Sequence, residues 1–282
     1  SLPVSLTERP FVSTFHALGV HIIKENAQRL GLPRFFGIYD KGDSKQAVRD
    51  AMKTIGLDPK QFDAGKMMGI ISREKGNGVT QEEYAVRIEG EYMGTVIAQV
   101  WREYENTLTR EKALDFDDLL LKTVRLLKDE GVRNHYHQVW KYVHIDEYQD
   151  TNGVQYQIAR LLVGTQNHLC VVGDIDQNIY SWRGATPSNI IDFERHYPDA
   201  KRVILEENYR SSSNIVEAAT QMIAHNMNRV AKVAKTSNQP GDLIELHQDS
   251  DGEMEAWWVA DCIKREMSKY PVDDVAIFYR TN

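Results

Sequence analysis

Two short apolar segments joined by one amphipathic helix constrain the fold of this chain more than any other feature. The segments are residues 142–145 (YVHI) and 169–172 (LCVV), and between them residues 154–162 have the apolar spacing of a helix. Strands joined through a helix pair in parallel, because a parallel pair needs a long crossover connection. Near-continuous apolar strands are typical of a parallel sheet with both faces covered. The pattern therefore predicts an α/β fold.

The same alternation of strand and helix continues on both sides of this unit. Residues 11–15 (FVSTF) predict another strand of the first sheet, followed by a helix that stops at Gly31. Strands near 202–206, 243–247 and 274–279 are expected in a second sheet, with a helix after each of the first two.

The length of the chain and a change in its sequence pattern at residues 41–112 predict how the domains are arranged. A chain of 282 residues exceeds the usual length of one domain. Residues 41–112 read as alternating amphipathic helices and turns, which predicts a helical subdomain inserted into the first α/β domain. We expect that first domain to comprise residues 1–40 and 113–200, and residues 201–282 to begin a second one.

Composition excludes several classes of protein. The net charge of −7 excludes a basic coat for nucleic acid, although a local DNA-binding groove is still compatible with it. The sequence has no apolar run of about 18 residues and no signal-peptide pattern at its start, so no contact with a membrane is expected. The two cysteines lie far apart, which favours a reducing cytoplasm over a disulfide framework.

Adjacent carboxylates follow the first of the two apolar strands. Asp146 and Glu147 come directly after residue 145, at the strand end where open α/β sheets place their ligands. One carboxylate there can hold Mg²⁺ while the other orients or deprotonates a water molecule, as nucleotide hydrolysis requires. The alternative is a solvated strand end with two charges, because short motifs are only hypotheses.

The surrounding residues form a series of motifs that resembles a known family. Residues 144–151 (HIDEYQDT), 173–185 (GDIDQNIYSWRGA) and 205–211 (LEENYRS) resemble motifs II, III and IV of the UvrD/Rep/PcrA-type superfamily 1 DNA helicases. Shorter stretches also match that family, at residues 13–17 (STFHA), 114–119 (LDFDDL) and 279–282 (YRTN). The resemblance covers essentially the whole chain. It implies two RecA-like domains with ATP between them and single-stranded DNA across both.

The resemblance assigns a nucleotide role to five residues. It implies that Asp146 serves Mg²⁺, that Glu147 acts on the hydrolytic water and that Gln177 senses the γ-phosphate. Tyr209 would stack on adenine, and Arg210 would act as an arginine finger. The alternatives are a turn residue for Gln177, a strand-end tyrosine for Tyr209 and a weak surface ion pair with Glu206 or Glu207 for Arg210.

The resemblance also implies a surface for single-stranded DNA and for junctions between single and double strands. Tyr180, Trp182 and Arg183 combine two aromatic rings with a guanidinium group beside the phosphate-sensing loop, which suits base stacking. Trp182 could instead belong to a core. Contacts to the DNA backbone are expected from Thr14, His16, Arg280 and Asn282.

The family's phosphate loop, G-x-x-x-x-G-K-[S/T], does not occur in the 282 residues. We therefore interpret the chain as an internal piece of an ATP-dependent helicase or translocase: a partial first RecA-like domain, its helical insertion and the start of the second. The alternative is a non-catalytic module that binds single-stranded DNA or a protein partner.

Overall fold

The computed structural model describes residues 9–58, 61–164, 168–178, 190, 193–226 and 232–279. The chain divides into two compact units, Ser1–Arg202 and Val203–Asn282. Each unit has its own elements and is described separately.

The first unit is a mixed helix and sheet structure. Its described helices are α1 Phe15–Glu25, α2 Lys41–Thr54, α3 Ala64–Gly76, α4 Gln81–Arg87, α5 Tyr92–Glu111, α6 Phe116–Lys128, α7 Glu130–Val139, α8 Gly153–Leu162 and the short α9 Phe193–His196. Its strands are β1 Gly37–Ile38, β2 Ala113–Leu114, β3 Tyr142–Ile145 and β4 His168–Val171. Short 3₁₀ helices span Ala27–Leu30, Tyr148–Asp150 and Ile175–Gln177.

The predicted parallel pair is confirmed. β3 and β4 run parallel in register from Tyr142 opposite His168 to Ile145 opposite Val171. Helix α8 makes the crossover between them, and a reciprocal capping box of Asn152 and Gln155 fixes its start. Both strands therefore end at the same edge, as the apolar pattern indicates.

The segment predicted to be helical consists of α2 to α5. The chain enters it after β1 and leaves it into β2, and these two short strands pair in parallel, Gly37 opposite Ala113 and Ile38 opposite Leu114. The segment has a core of its own, which includes Val48, Met52, Ile71, Trp101 and Tyr104. A separate core, with Ile22, Leu119, Leu127, Tyr136 and Ile158 among its members, packs α1, α6, α7 and α8 together.

A fully buried lysine connects helices α3 and α5 to α6. The Nζ atom of Lys75 on α3 lies 2.7 Å from Glu105, 2.8 Å from Asp115 and 3.1 Å from Asp118, and its side chain is 2% exposed. Tyr104 donates a hydrogen bond to Asp115 at 2.9 Å. Asp115 and Asp118 also form the capping box of α6. Asp115 and Asp118 thus each serve both the helix start and the contact with the lysine.

Burial and the positive charge of Lys75 determine the pKa values of the groups in this cluster. Burial opposes the charge of Lys75, but the three facing carboxylates hold its pKa well above the ordinary value. Burial also opposes ionisation of Asp115, yet Lys75 and the hydrogen bonds outweigh it and lower the pKa of that carboxyl. The pKa of Asp118 is raised by burial. Burial and the nearby Asp115 raise the pKa of Asp117 to about 6.

Replacing Lys75 with methionine should strongly destabilise the first unit. Removing one partner leaves the buried carboxylates without compensation, which costs about 3–5 kcal/mol in comparable buried pairs. The measurement is the free energy of unfolding from urea titrations near pH 7. Lys53→Met is the matched control, because Lys53 forms an exposed pair with Asp50 and such pairs contribute little. Equal effects of the two substitutions would show that the cluster is not a net stabilising contact.

The strand predicted at residues 11–15 is wrong. The Thr14 hydroxyl accepts a hydrogen bond from the amide of Ala17, and Phe15 already begins α1. Phe11 stacks against Trp140 instead of pairing in a sheet. A segment of only five residues is a weak strand signal, and the helix-capping Thr14 overrides it.

The second unit contains α10 Ser213–Ile223, α11 Gly252–Glu266 and a 3₁₀ turn at Val272–Asp274. The two helices lie where the sequence predicted them. The strands predicted near 202–206, 243–247 and 274–279 are wrong for the described residues of this unit, where the only ladder is an isolated bridge between Glu207 and Lys235. Leu246 is 95% exposed. These segments are apolar, but a strand also needs a hydrogen-bonded neighbour.

Among the described residues, no helix is both long enough and apolar enough to cross a membrane.

Candidate functional site

The carboxyl ends of β3 and β4 are joined by hydrogen bonds beyond the strands themselves. The amide of Val172 donates to the carbonyl of Ile145 at 2.8 Å, and the amide of Tyr148 donates to the carbonyl of Val172 at 2.9 Å. This pairing brings the residues after β3 next to the loop after β4. Open parallel sheets place their ligand crevice at this edge.

Asp146 and Glu147 are exposed at this edge, and Glu147 has an unusual backbone. Its φ of 50° and ψ of 43° lie in the left-handed region, which residues other than glycine rarely occupy. The amide of Glu147 donates to Oδ1 of Asp146 at 2.9 Å. Strained residues of this kind cluster at functional sites, where the surrounding structure holds them.

Gln149 joins the two loops, and its side chain is almost completely buried. Its Nε2 donates to Oε2 of Glu147 at 2.7 Å, and its Oε1 accepts from the amide of Asp174 at 3.0 Å. Its main-chain carbonyl accepts from Nδ2 of Asn178 at 2.5 Å. A single residue therefore contacts the carboxylate after β3 and both ends of the loop after β4.

The loop after β4 is also held by Asp174. Its carboxylate accepts from the amide of Asp176 at 3.0 Å and from Nε2 of Gln177 at 2.8 Å. Gln177 is exposed, so Asp174 fixes one end of its side-chain amide while the rest of the amide faces solvent. Gln177 and Glu147, both predicted as site residues, are thus linked through Gln149 and Asp174.

The site has a negative character that a cation would neutralise. Burial, together with the charge of Glu147, raises the pKa of Asp150. Across the described ranges, no group of three or more His, Cys, Asp and Glu side chains is arranged to hold a metal ion. Mg²⁺ usually takes only one or two protein carboxylates and completes its shell with water and substrate phosphates. The exposed carboxylate of Asp146 fits that requirement.

Tyr209 and Arg210 lie on a loop of the second unit that two asparagines hold. The Asn208 side chain accepts from the amides of Arg210 and Ser211 at 3.0 and 2.9 Å. Asn238 donates to the carbonyl of Tyr209 at 3.2 Å. Both predicted residues have exposed side chains, and Glu206, one of the alternative partners considered for Arg210, pairs with Lys235.

The predicted DNA residues are only partly described. Thr14 caps α1, and His16 on the same helix packs edge-on against Phe116 with ring centroids 5.5 Å apart. Burial lowers the pKa of His16, which favours the neutral form of its imidazole. The other predicted DNA contacts lie outside the described residues: Tyr180, Trp182, Arg183, Arg280 and Asn282.

The fold and this edge define the class: an α/β protein with parallel strands and acidic residues at the strand ends. Residues 2–198 match the UvrD/REP helicase N-terminal domain, and residues 203–282 match the UvrD-like helicase C-terminal domain. The chain therefore belongs to the UvrD/REP helicase family.

Several relatives carry the same description, ATP-dependent DNA helicase PcrA. The chain is 40% identical to the protein of Staphylococcus epidermidis over 274 residues and 39% identical to those of Bacillus subtilis and Leuconostoc citreum over 275 residues. Each match covers 96% of this chain and 37% of the relative. The chain thus spans a little over a third of the length of these relatives.

Gln149 is the site residue that sequence reasoning missed. It lies two positions after Glu147 within the motif HIDEYQDT, so its position was visible. Its role depends on the turn at residues 147–150, which points its amide back toward Glu147 and across to Asp174. Its place in that motif was the signal available in the sequence, and its burial and its two hydrogen bonds are seen only in the structure.

Replacing Gly173 with alanine should disturb this edge of the sheet. A Cβ atom at position 173 would lie 2.6 Å from Oε1 of Gln149 and 3.2 Å from its backbone nitrogen. Overpacking of this kind costs about 1–3 kcal/mol. The measurement is the free energy of unfolding, with Gly69→Ala as the control, because that glycine of α3 has open space around it. A Gly173→Ala protein as stable as the unaltered chain would contradict the close approach.

Proposed function

We propose that this chain is part of an ATP-dependent DNA helicase or translocase that acts on single-stranded DNA and couples ATP hydrolysis to duplex unwinding. The main support is the pair Asp146 and Glu147 at the end of β3, hydrogen-bonded through Gln149 to the loop that carries Gln177. Membership of the UvrD/REP family and relatives described as ATP-dependent DNA helicases agree with it.

The proposed domain arrangement follows the family. Residues 1–40 and 113–200 would form part of a first RecA-like domain, residues 41–112 its helical insertion, and residues 201–282 the start of a second RecA-like domain. The pairing of β1 with β2 supports the insertion, because the chain leaves and re-enters the body at adjacent strands.

Within this proposal the acidic edge hydrolyses ATP. Asp146 would hold Mg²⁺, which when bound supplies positive charge to the phosphate oxygens. Glu147 would orient the attacking water and accept its proton, with one carboxylate oxygen held by Gln149 and the other available to the water. Gln177 would contact the γ-phosphate through the amide that Asp174 orients.

The second unit carries two further residues to which we assign a nucleotide role. Tyr209 has an exposed ring that can stack on adenine, and Arg210 presents a planar donor for charge that develops on the transferred phosphoryl group. The hydrogen bonds of Asn208 and Asn238 fix the backbone that carries both side chains.

Single-stranded DNA would be bound in part by aromatic residues. Tyr180, Trp182 and Arg183 follow the loop of residues 173–178 in sequence, and two rings with a guanidinium group suit stacking of bases. Backbone contacts are proposed for Thr14, His16, Arg280 and Asn282. Such contacts carry little base information, which suits movement along any sequence.

A second candidate function has one observation in its favour. The 282 residues contain no G-x-x-x-x-G-K-[S/T] loop, whose amides and lysine hold the phosphates in P-loop enzymes. The chain by itself could therefore serve as a non-catalytic module that binds single-stranded DNA or a protein partner.

The isolated 282-residue chain should hydrolyse ATP negligibly, even with single-stranded DNA present. Fixed donors on the phosphates are worth several kcal/mol in the transition state, and each 1.36 kcal/mol is about tenfold in rate. The measurement is steady-state phosphate release, with Glu147→Gln as the paired variant. Rapid turnover that disappears in Glu147→Gln would reveal a phosphate-binding element elsewhere in the chain.

Replacing Trp182 with alanine in the full-length protein should weaken binding of single-stranded DNA. Loss of one stacked base costs about 1–3 kcal/mol with little dependence on sequence. The dependence of affinity on salt should stay nearly the same, because no phosphate contact is removed. Fluorescence anisotropy with labelled oligonucleotides at several salt concentrations measures both. Unaltered affinity would assign Trp182 to a structural role.

A further inference from the structure

We propose that Gln149 is a positioning residue that couples the carboxylate of Glu147 to the loop of residues 173–178. The inference rests on the proposed function, in which Glu147 acts on the hydrolytic water. It adds that the orientation of Glu147 depends on the conformation of that loop. Gln149 itself touches neither nucleotide nor DNA in this scheme.

The contact requires a side chain that both donates and accepts a hydrogen bond. The carboxylate of Glu147 only accepts hydrogen bonds, and the main-chain amide of Asp174 only donates one. A side chain between them must therefore donate at one atom and accept at another. The amide of Gln149 does both at once, at 2.7 Å and 3.0 Å, and only one orientation of the amide satisfies both partners.

Burial makes this link persistent. Gln149 is 1% exposed, so water cannot readily replace either hydrogen bond. Breaking one leaves a buried polar group without its partner, which is costly. Neighbouring residues fix its place: Asn178 donates to its carbonyl, and the absence of a side chain at Gly173 leaves the space that its amide occupies, since a Cβ there would lie 2.6 Å from Oε1.

The orientation of the Glu147 carboxylate depends on the hydrogen bond from Gln149. Glu147 is in the left-handed region and its carboxylate is exposed, with the hydrogen bond from Gln149 as the described side-chain contact that fixes it. A shift of Asp174 or Asn178 would move Gln149 and turn the carboxylate. A DNA-dependent change in residues 173–178 would thus act on the hydrolytic step through Gln149.

The test uses the full-length protein with Gln149→Met and Gln149→Glu. Methionine keeps the length and removes both hydrogen bonds. Glutamate keeps an acceptor for Asp174 but places a like charge beside Glu147. The matched control is Gln155→Met, a nearby glutamine whose Oε1 accepts from the amide of Asn152 at 2.9 Å in the capping box of α8.

ATP hydrolysis is measured against ATP concentration, with and without single-stranded DNA. Both Gln149 variants should lower the DNA-stimulated kcat about 10- to 100-fold, the size of effect that small misplacements of a reacting group produce, while the KM for ATP changes less than about 3-fold. The control should keep kcat within about 2-fold. A loss of stability alone would affect the control as well and would not separate kcat from KM.

Parallel measurements on Glu147→Gln distinguish a failure of the coupling through Gln149 from a failure of the proposed function. If Glu147→Gln is inactive while both Gln149 variants retain full kcat, the coupling is wrong and the proposed function stands. If Glu147→Gln retains activity, the role of Glu147 is wrong, and the coupling is wrong with it. An equal rise in KM and fall in kcat for the Gln149 variants would also overturn the proposal.

Folding is checked by the thermal midpoint of each variant. Should Gln149→Met fail to fold, Gly173→Ala displaces the same amide without altering it and should give the same selective loss of kcat. Full kcat in a folded Gly173→Ala protein would contradict the proposal.

Discussion

The parallel pairing of β3 with β4 is the constraint on which the rest of the candidate site depends. Because both strands end at one edge, the turn after β3 and the loop after β4 come within hydrogen-bonding distance. The left-handed backbone of Glu147, the buried amide of Gln149 and the glycine at 173 follow from how closely these two segments approach. A shift of the strand pairing by one residue would separate the carboxylate of Glu147 from the loop of residues 173–178.

The parts of the fold that the sequence predicted are those with strong local signals. The structure contains the predicted apolar strands around Ile145 and Val171 and the helix between them. The apolar spacing and the length of each segment both indicated the same type of element. The helical character of residues 41–112 was also visible, with capping boxes at Asp40 and Thr80 that mark helix starts. The short strand at 11–15 failed because a threonine cap competed with it, and the strands of the second unit failed because pairing is not a local property.

The candidate site was predictable as a set of residues but not as a set of contacts. Asp146, Glu147 and Gln177 could be selected from their positions after apolar strands and from the family resemblance. The links through Gln149 and Asp174 depend on a turn whose dihedral angles cannot be predicted from its residue types. The buried position of Lys75 was likewise invisible, since a lysine in an amphipathic helix usually faces solvent.

The cluster around Lys75 bears on how these proteins can be recombined. Its charges come from α3, from α5 and from the start of α6, so the helices between β1 and β2 and the helix after this junction neutralise each other's charges. If α2 to α5 were exchanged for those of a relative, the new segment would have to bring a matching lysine and glutamate, or Asp115 and Asp118 would be buried with no counter-charge. Exchange at this junction is therefore governed by charge matching as much as by the lengths of the connecting strands.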